Sequence, residues 1–120
     1  MIAALVALAM APAQAAPAPQ QQARPTMVVG HGNTSCGKWT QARGDRGASS
    51  TIYGAWLGGF ISGINMADPI ARDDLSEGTD FDGLLAWVDS YCAANPLDKV
   101  FTAAELLAAE LLKRKYPPRR

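Results

Sequence analysis

The chain has 120 residues, and its 11 lysines and arginines balance 11 aspartates and glutamates, so its formal net charge is zero. A chain of this length forms one domain at most. The charges are uneven locally, with an acidic segment between residues 68 and 82 and a basic end after residue 112. Neither makes the broad basic surface that nucleic-acid binding requires, so the composition argues against a nucleic-acid partner.

The amino terminus has the pattern of an export signal. Residues 2–11 are an apolar run that is too short to span a bilayer, since a spanning helix needs about 20 residues. Ala13-Gln14-Ala15 follows, with the small-x-small form of a signal-peptidase site, although the usual basic residues at the start are missing. We therefore predict a periplasmic or secreted protein. The predicted divisions are a signal peptide at residues 1–15, a flexible Pro/Gln/Ala linker at 16–27, a helical domain at 28–116 and a basic tail at 117–120.

The chain contains two cysteines, Cys36 and Cys92. In an exported chain an even pair is most simply a disulfide. The bridge would close a loop of more than fifty residues, which the chain-entropy account values at about 4 kcal/mol. A domain this small has a marginal core, so we expect the bridge to supply much of its stability.

Helical patterns begin and end the predicted domain. Thr34 or Ser35 can cap a first helix that runs to about Arg43. A last helix carries the capping-box pattern Thr102-Ala-Ala-Glu105 and stops before Pro117, because a proline pair cannot continue it.

A second helix is predicted from Ser50 or Thr51 to about Ala67. Its large apolar side chains go all the way round the helix, which predicts a buried central element. Two polar residues interrupt this run, which is shorter than 18 residues, so no membrane span is predicted. The helix also contains four glycines in two pairs at four-residue spacing, Gly54 with Gly58 and Gly59 with Gly63. Each glycine costs a helix about 1 kcal/mol relative to alanine, and close approach of neighbouring helices is the expected compensation.

A third helix, over residues 79–92, organises the predicted core. Thr79 can cap it, with Asp82 completing a capping-box-like pair. The aromatic side chains on its apolar face could line a ligand cleft, but the same spacing is typical of a core helix, which is the favoured interpretation. The sequence therefore predicts an all-α, compact bundle of about four helices, with one disulfide between the first and third helices. The apolar face is formed by Phe81, Leu84, Leu85, Val88, Tyr91 and Cys92, with Trp87 at its edge.

Candidate catalytic and metal-binding residues are few. His31 and Cys36 could form a base and a thiol nucleophile, but a disulfide at Cys36 is the simpler interpretation. Metal sites need clusters of histidine, cysteine or carboxylate ligands, and the acidic segment lacks the spacing of a calcium-binding EF-hand loop. No glycine-rich phosphate loop follows a strand. We predict a protein that is not an enzyme and that uses no metal or cofactor.

A family resemblance is carried by three stretches: Ser35-Cys-Gly-Lys-Trp39, the run from Trp56 to Asn65, and the run from Gly83 to Leu97. Together with an alanine-rich final helix, they are similar to the Rap1a/Tai-type immunity proteins and, more distantly, to the HdeA-like acid chaperones. The resemblance covers about residues 34–112. It implies a periplasmic helical domain with one disulfide between its first and third helices. In the immunity family such a domain binds and blocks a peptidoglycan-cleaving toxin from a neighbouring cell.

Three functions are compatible with these patterns. The first is a periplasmic binding protein, an immunity protein in particular, that occludes a toxin or hydrolase with an exposed loop. Asp73, Asp74 and Glu77 are then the candidate partner-binding residues, and plain solvation is the alternative reading of these carboxylates. The second is an acid-stress chaperone of the HdeA-like kind, and the third is a non-catalytic envelope protein. A homodimer is an additional option.

Overall fold

The computed structural model describes residues 27–67 and 74–119. Within these residues there is no strand, and one isolated bridge pairs Ser35 with Lys99. The predicted all-α bundle of four helices is confirmed. The predicted signal peptide (1–15) and nearly all of the predicted linker (16–27) lie outside the described residues. The elements are a 3-10 turn at Gly30–Asn33 followed by α1 (Cys36–Asp45), α2 (Ala48–Ala67), α3 (Phe81–Ala94) and α4 (Val100–Lys115).

A disulfide between Cys36 and Cys92 joins the start of α1 to the end of α3. Both cysteines are fully buried, and they are 56 residues apart in the chain. The predicted bridge between the first and third helices is therefore confirmed. It lies in one continuous core to which all four helices contribute. The other large side chains that are fully buried there are Trp39, Leu57, Val88, Val100 and Leu107.

A polar cluster beside the disulfide joins three helices. Arg43 of α1 donates from Nε and Nη2 to the two carboxylate oxygens of Asp89 on α3, at 2.9 and 3.0 Å. Trp39 Nε1 donates to the same carboxylate at 2.7 Å, and Arg43 Nη1 donates to Ser50 Oγ of α2 at 3.0 Å. The hydrogen bond to Asp89 raises the pKa of Arg43. Ser50 was predicted as a helix cap, and the structure uses its hydroxyl as an acceptor for Arg43 instead.

The starts of α1 and α2 follow from local hydrogen bonds. Ser35 caps α1, since its Oγ accepts from the backbone N of Lys38, which confirms one of the two predicted caps. α2 begins at Ala48, earlier than predicted, and the carbonyl of Gly47 accepts from the backbone N of Thr51. Neither predicted cap, Ser50 or Thr51, opens α2.

The starts of α3 and α4 also differ from prediction. Asp80, not Thr79, caps α3, because its Oδ1 accepts from the backbone N of Gly83 at 2.8 Å. α4 begins at Val100, so the pattern at residues 102–105 lies inside the helix. A tertiary contact sets this start, since the backbone N of Val100 donates to the carbonyl of Thr34 at 3.0 Å.

α2 is not buried on every side, which corrects the prediction of a buried central helix. Its buried residues are Tyr53, Gly54, Leu57 and Ile61, which share one face. The opposite face is open, with Ile52 49% and Met66 86% exposed. The apolar side chains of α2 therefore lie on two faces of the helix, one packed in the core and one exposed to solvent.

The predicted apolar face of α3 is also only partly buried, and its aromatic residues are the more exposed ones. The aliphatic and cysteine positions of its predicted apolar face, residues 84, 85, 88 and 92, are buried. Phe81 is exposed, and Trp87 and Tyr91 are half-buried against the core.

Of the helices in the described ranges, none combines the length and the apolar character needed to cross a membrane.

Candidate functional site

Asp74 is the centre of a hydrogen-bond network that anchors the loop before α3, residues 74–80. Oδ1 of this carboxylate accepts from Ser76 N at 2.9 Å, from Ser76 Oγ at 2.6 Å and from Asn65 Nδ2 of α2 at 2.9 Å. Hydrogen bonds from the Ser76 hydroxyl and from the Ser76 backbone lower the pKa of Asp74. Asp74 therefore stabilises the turn as an ionised group.

Asn65 fixes the same loop from α2 through both ends of its amide. While Nδ2 donates to Asp74, Oδ1 accepts from the backbone N of Leu75 at 3.0 Å. The Leu75 side chain is only 6% exposed and joins the hydrophobic core. The loop is thus attached to the bundle by one apolar and several polar contacts.

Lys115, at the end of α4, fastens the loop from the other side. Its Nζ donates to the backbone carbonyl of Asp74 at 2.7 Å and to Glu77 Oε2 at 3.0 Å. The Lys115 side chain is largely shielded, whereas that of Glu77 is 77% exposed. Glu77 therefore remains available to a partner while one of its oxygens contacts Lys115.

The exposed crest of the loop follows these anchors. Gly78 holds a positive φ of 86°, a conformation that favours glycine, and residues 77–80 are all exposed. Asp80 adds a second exposed carboxylate at the start of α3 while it caps that helix. The crest therefore presents acidic groups on a fixed backbone.

A cleft lies on each side of this loop. The cleft toward α4 has a volume of about 290 Å³ and is lined by side chains of both charges, the acidic Glu77 and the basic Arg114 and Lys115. Arg114 Nε also contacts Glu110 Oε1 at 2.9 Å, and this hydrogen bond lowers the pKa of Glu110. The cleft toward α2 has a volume of about 280 Å³ and is lined by Asn65, Asp74 and Phe81, among other residues. The loop is a ridge between two depressions.

Of the predicted partner-binding residues, the structure places two at this loop. Asp74 is committed to the hydrogen bonds of the turn, and Glu77 lies at its exposed crest. Asp73 lies outside the described residues. No local sequence pattern marks Asn65 or Lys115 as loop anchors, because their contacts join positions 10 and 41 residues apart along the chain.

Two apolar grooves lie away from the loop. The first, called here the Trp56 groove, has a volume of about 460 Å³ and is lined by Trp56, Phe60, Phe101 and the segment 27–29. Trp56 Nε1 donates to the carbonyl of Val29 at 2.8 Å, and the Trp56 and Phe60 rings stack with centroids 5.5 Å apart. This groove joins the open face of α2 to the start of the described chain.

The second apolar groove, about 360 Å³ in volume, lies between α3 and α4. Its wall includes the parallel rings of Trp87 and Tyr91, whose centroids are 5.8 Å apart, together with Leu106. The Tyr91 hydroxyl donates to Asp98 Oδ2 at 2.5 Å, and this hydrogen bond raises the pKa of Tyr91. The half-buried aromatic residues of α3 therefore line a surface groove as well as the edge of the core.

Catalytic and metal-binding options are limited in the described ranges. Cys36 is in the disulfide and offers no thiolate, which removes the His31–Cys36 pair as a nucleophile and base. The His31 ring instead packs edge-on against Tyr53, with centroids 4.5 Å apart. No group of three or more histidine, cysteine or carboxylate side chains within residues 27–67 and 74–119 is placed to hold a metal ion.

Comparisons of the chain with protein-family models, with curated proteins and with solved structures gave no match. Membership of the Rap1a/Tai-type immunity proteins therefore stays a prediction from the residues that carry the resemblance.

Proposed function

We propose that this chain is an exported, non-catalytic binding protein that blocks a peptidoglycan-cleaving enzyme by occlusion with the loop at residues 74–80. The observation that carries the proposal is the anchoring of this loop. Asn65 and Lys115 hold it from two helices, while the side chain of Glu77 stays exposed at its crest. A loop that is already ordered loses little conformational entropy when it binds, which favours tight complexes.

The shape of the loop suits insertion into an enzyme cleft. It forms a ridge between two depressions, and protein inhibitors of this pre-organised kind change little in backbone conformation on binding. The acidic crest also favours a protein partner with a basic rim over a nucleic acid, whose phosphates it would repel.

The proposal is tested by capture of partners with the mature chain, residues 16–120, from the envelope and secreted proteins of the source organism at neutral pH. We expect a peptidoglycan hydrolase at a one-to-one ratio, identified by mass spectrometry. Recovery of unfolded proteins at acid pH alone would favour the HdeA-like chaperone, and recovery of nothing at either pH would favour an envelope protein without this role. Both results would overturn the proposal.

Glu77→Gln tests the contribution of the loop to the captured complex. Removal of this exposed charge is expected to weaken binding roughly tenfold, or about 1.4 kcal/mol. Glu105→Gln, the same change at an exposed position of α4, serves as the matched control and should leave affinity unchanged. Equal affinities for the two variants would place the interface away from the loop crest.

A further inference from the structure

The open face of α2 is uncharged along its whole length. The twenty residues of this helix include no aspartate, glutamate, lysine or arginine, although only four of them are buried. Five exposed residues follow the alternating three- and four-residue spacing of a helix-pairing seam. We call this set the α2 seam, and it consists of Ile52, Ala55, Gly59, Ser62 and Met66.

The glycines of α2 divide into a used pair and an unused pair. A Cβ atom built on Gly54 would lie 3.4 Å from Leu85, and one built on Gly58 would lie 3.3 Å from Phe81, so the first pair gives α3 its close approach. Among the residues that the structure describes, no atom other than those of the adjacent residues and the nearby backbone of α2 itself lies within 4 Å of a Cβ built on Gly59 or Gly63. The second pair weakens the helix and supports no packing within the described parts of the chain.

The Trp56 groove runs alongside the seam and shares two residues with it. Ala55 and Gly59 belong to both, and the groove adds the half-buried rings of Trp56 and Phe60. Met27, at the far wall, is 90% exposed. The glycines, the seam and the groove therefore form one continuous apolar surface.

We infer that this surface is an interface between two copies of the chain, in which the α2 helices pack antiparallel about Gly59. The side chains of the seam are largest at its two ends and smallest at its centre. Ile52 lies seven residues before Gly59 and Met66 lies seven residues after it, so each end side chain of one copy meets the other end of its partner. Small residues at the crossing point let the two helices approach closely, and the larger end residues of both copies fill the space where crossed helices diverge, so the pattern of sizes fits a two-fold pair.

The absence of charge allows a second copy to pack against the same face, and the near-symmetric pattern of sizes about Gly59 favours that copy over an unrelated protein. Pairing of an uncharged helix face with itself brings no like charges together, and a two-fold interface buries the same patch on both subunits. The small central residues allow the helix axes to approach to about 8 Å, the lower limit for packed helices. This interface leaves the loop at residues 74–80 free, so it does not depend on the proposed function.

The inference is tested by sedimentation velocity of the mature chain over concentrations from about 1 to about 500 µM, a range that covers weak dimers. We expect the wild-type chain to pass from monomer to dimer within this range. Gly59→Glu should remove the dimer, because it places a charge from each copy at the centre of the interface. A chain that sediments as a monomer at every concentration would overturn the inference.

Two controls separate loss of the interface from loss of the fold. Gly59→Glu should leave the helical circular dichroism intact and raise the thermal midpoint of the monomer, since glutamate is a better helix former than glycine and finds open space there. Gly44→Glu introduces the same charge at an open glycine of α1 and should leave the dimer intact. A dimer that survives Gly59→Glu, or that is lost equally in Gly44→Glu, would contradict the placement of the interface on α2.

Discussion

Asn65 and Asp74 are joined by a hydrogen bond of 2.9 Å from the Asn65 amide nitrogen to the Asp74 carboxylate, while the Asn65 amide oxygen accepts from the adjacent backbone N of Leu75 at 3.0 Å. Only a side chain with a donor and an acceptor on one planar group satisfies both contacts. This pair therefore links α2 to the loop for which we propose partner binding.

Asn65→Asp should release the loop. The substitution replaces the donor with a second carboxylate oxygen that faces Asp74, and we expect a loss of about 1–2 kcal/mol in unfolding free energy. Urea unfolding measures this loss, and hydrogen exchange at the Leu75 amide reports the loop directly. Asn33→Asp, at an exposed position of the 3-10 turn, is the matched control. Unchanged protection of Leu75 in Asn65→Asp would contradict the anchoring role.

The loop should loosen in acid as Asp74 becomes protonated. Because the pKa of Asp74 is lowered in the folded chain, this carboxylate stabilises the fold above the ordinary aspartate pKa of about 3.9, and that contribution is lost as the pH falls through the lowered value. Ser76→Ala removes the Ser76 hydroxyl, the donor that lowers the pKa most, so the transition should move to higher pH. NMR titration of the carboxyl group measures the shift, and Ser90→Ala, on the exposed side of α3, should not change it.

Cys92→Ser should destabilise the domain strongly. The bridge joins residues 56 positions apart, and loss of a native disulfide from a small exported domain costs about 2–5 kcal/mol. Urea unfolding of the variant, and of the wild-type chain with and without reductant, measures this effect. Reduced wild-type protein should match the variant. Two free thiols in protein isolated from an oxidising compartment would contradict the account.

Arg46→Gly should stabilise the domain. Arg46 ends α1 at φ 50° and ψ 20°, a left-handed conformation that costs a residue with a side chain about 1–2 kcal/mol. Part of this gain is offset by the greater freedom of glycine in the unfolded chain, so we expect a net gain of about 0.5–1 kcal/mol. Gly78→Ala, at φ 86°, should have the opposite effect. A lower urea midpoint for Arg46→Gly would show that its side chain makes a contribution larger than the backbone cost.

The parts of the fold that depend on local pattern could be predicted from the sequence. Ser35 was predicted among the caps of α1, and the pairing of Cys36 with Cys92 followed from the cysteine count and the expected compartment. The capping-box-like spacing of Thr79 and Asp82 predicts Thr79 as the cap of α3, whereas the backbone geometry of the structure selects Asp80, one residue later.

The candidate site depended on contacts that no local pattern encodes. In the sequence, Asn65 is a polar residue near the end of α2 that closes one of the stretches carrying the family resemblance, and Lys115 is part of a basic helix end, yet both hold the loop. The exposure of α2 was also missed, because an apolar helix surface predicts burial without telling what buries it. In the structure, Ile52 and Met66 face outward.

The central claim, that the loop at residues 74–80 blocks a peptidoglycan-cleaving enzyme, is tested most directly by a titration of that enzyme's activity. The captured hydrolase would digest purified peptidoglycan while the concentration of the mature chain is increased, with Asn65→Asp in parallel. The account predicts that cleavage stops at one equivalent of wild-type chain when the enzyme is well above the Kd, and that with the enzyme below the Kd the half-inhibitory concentration of Asn65→Asp is roughly tenfold higher than that of wild type. Full cleavage in the presence of excess wild-type chain would contradict it.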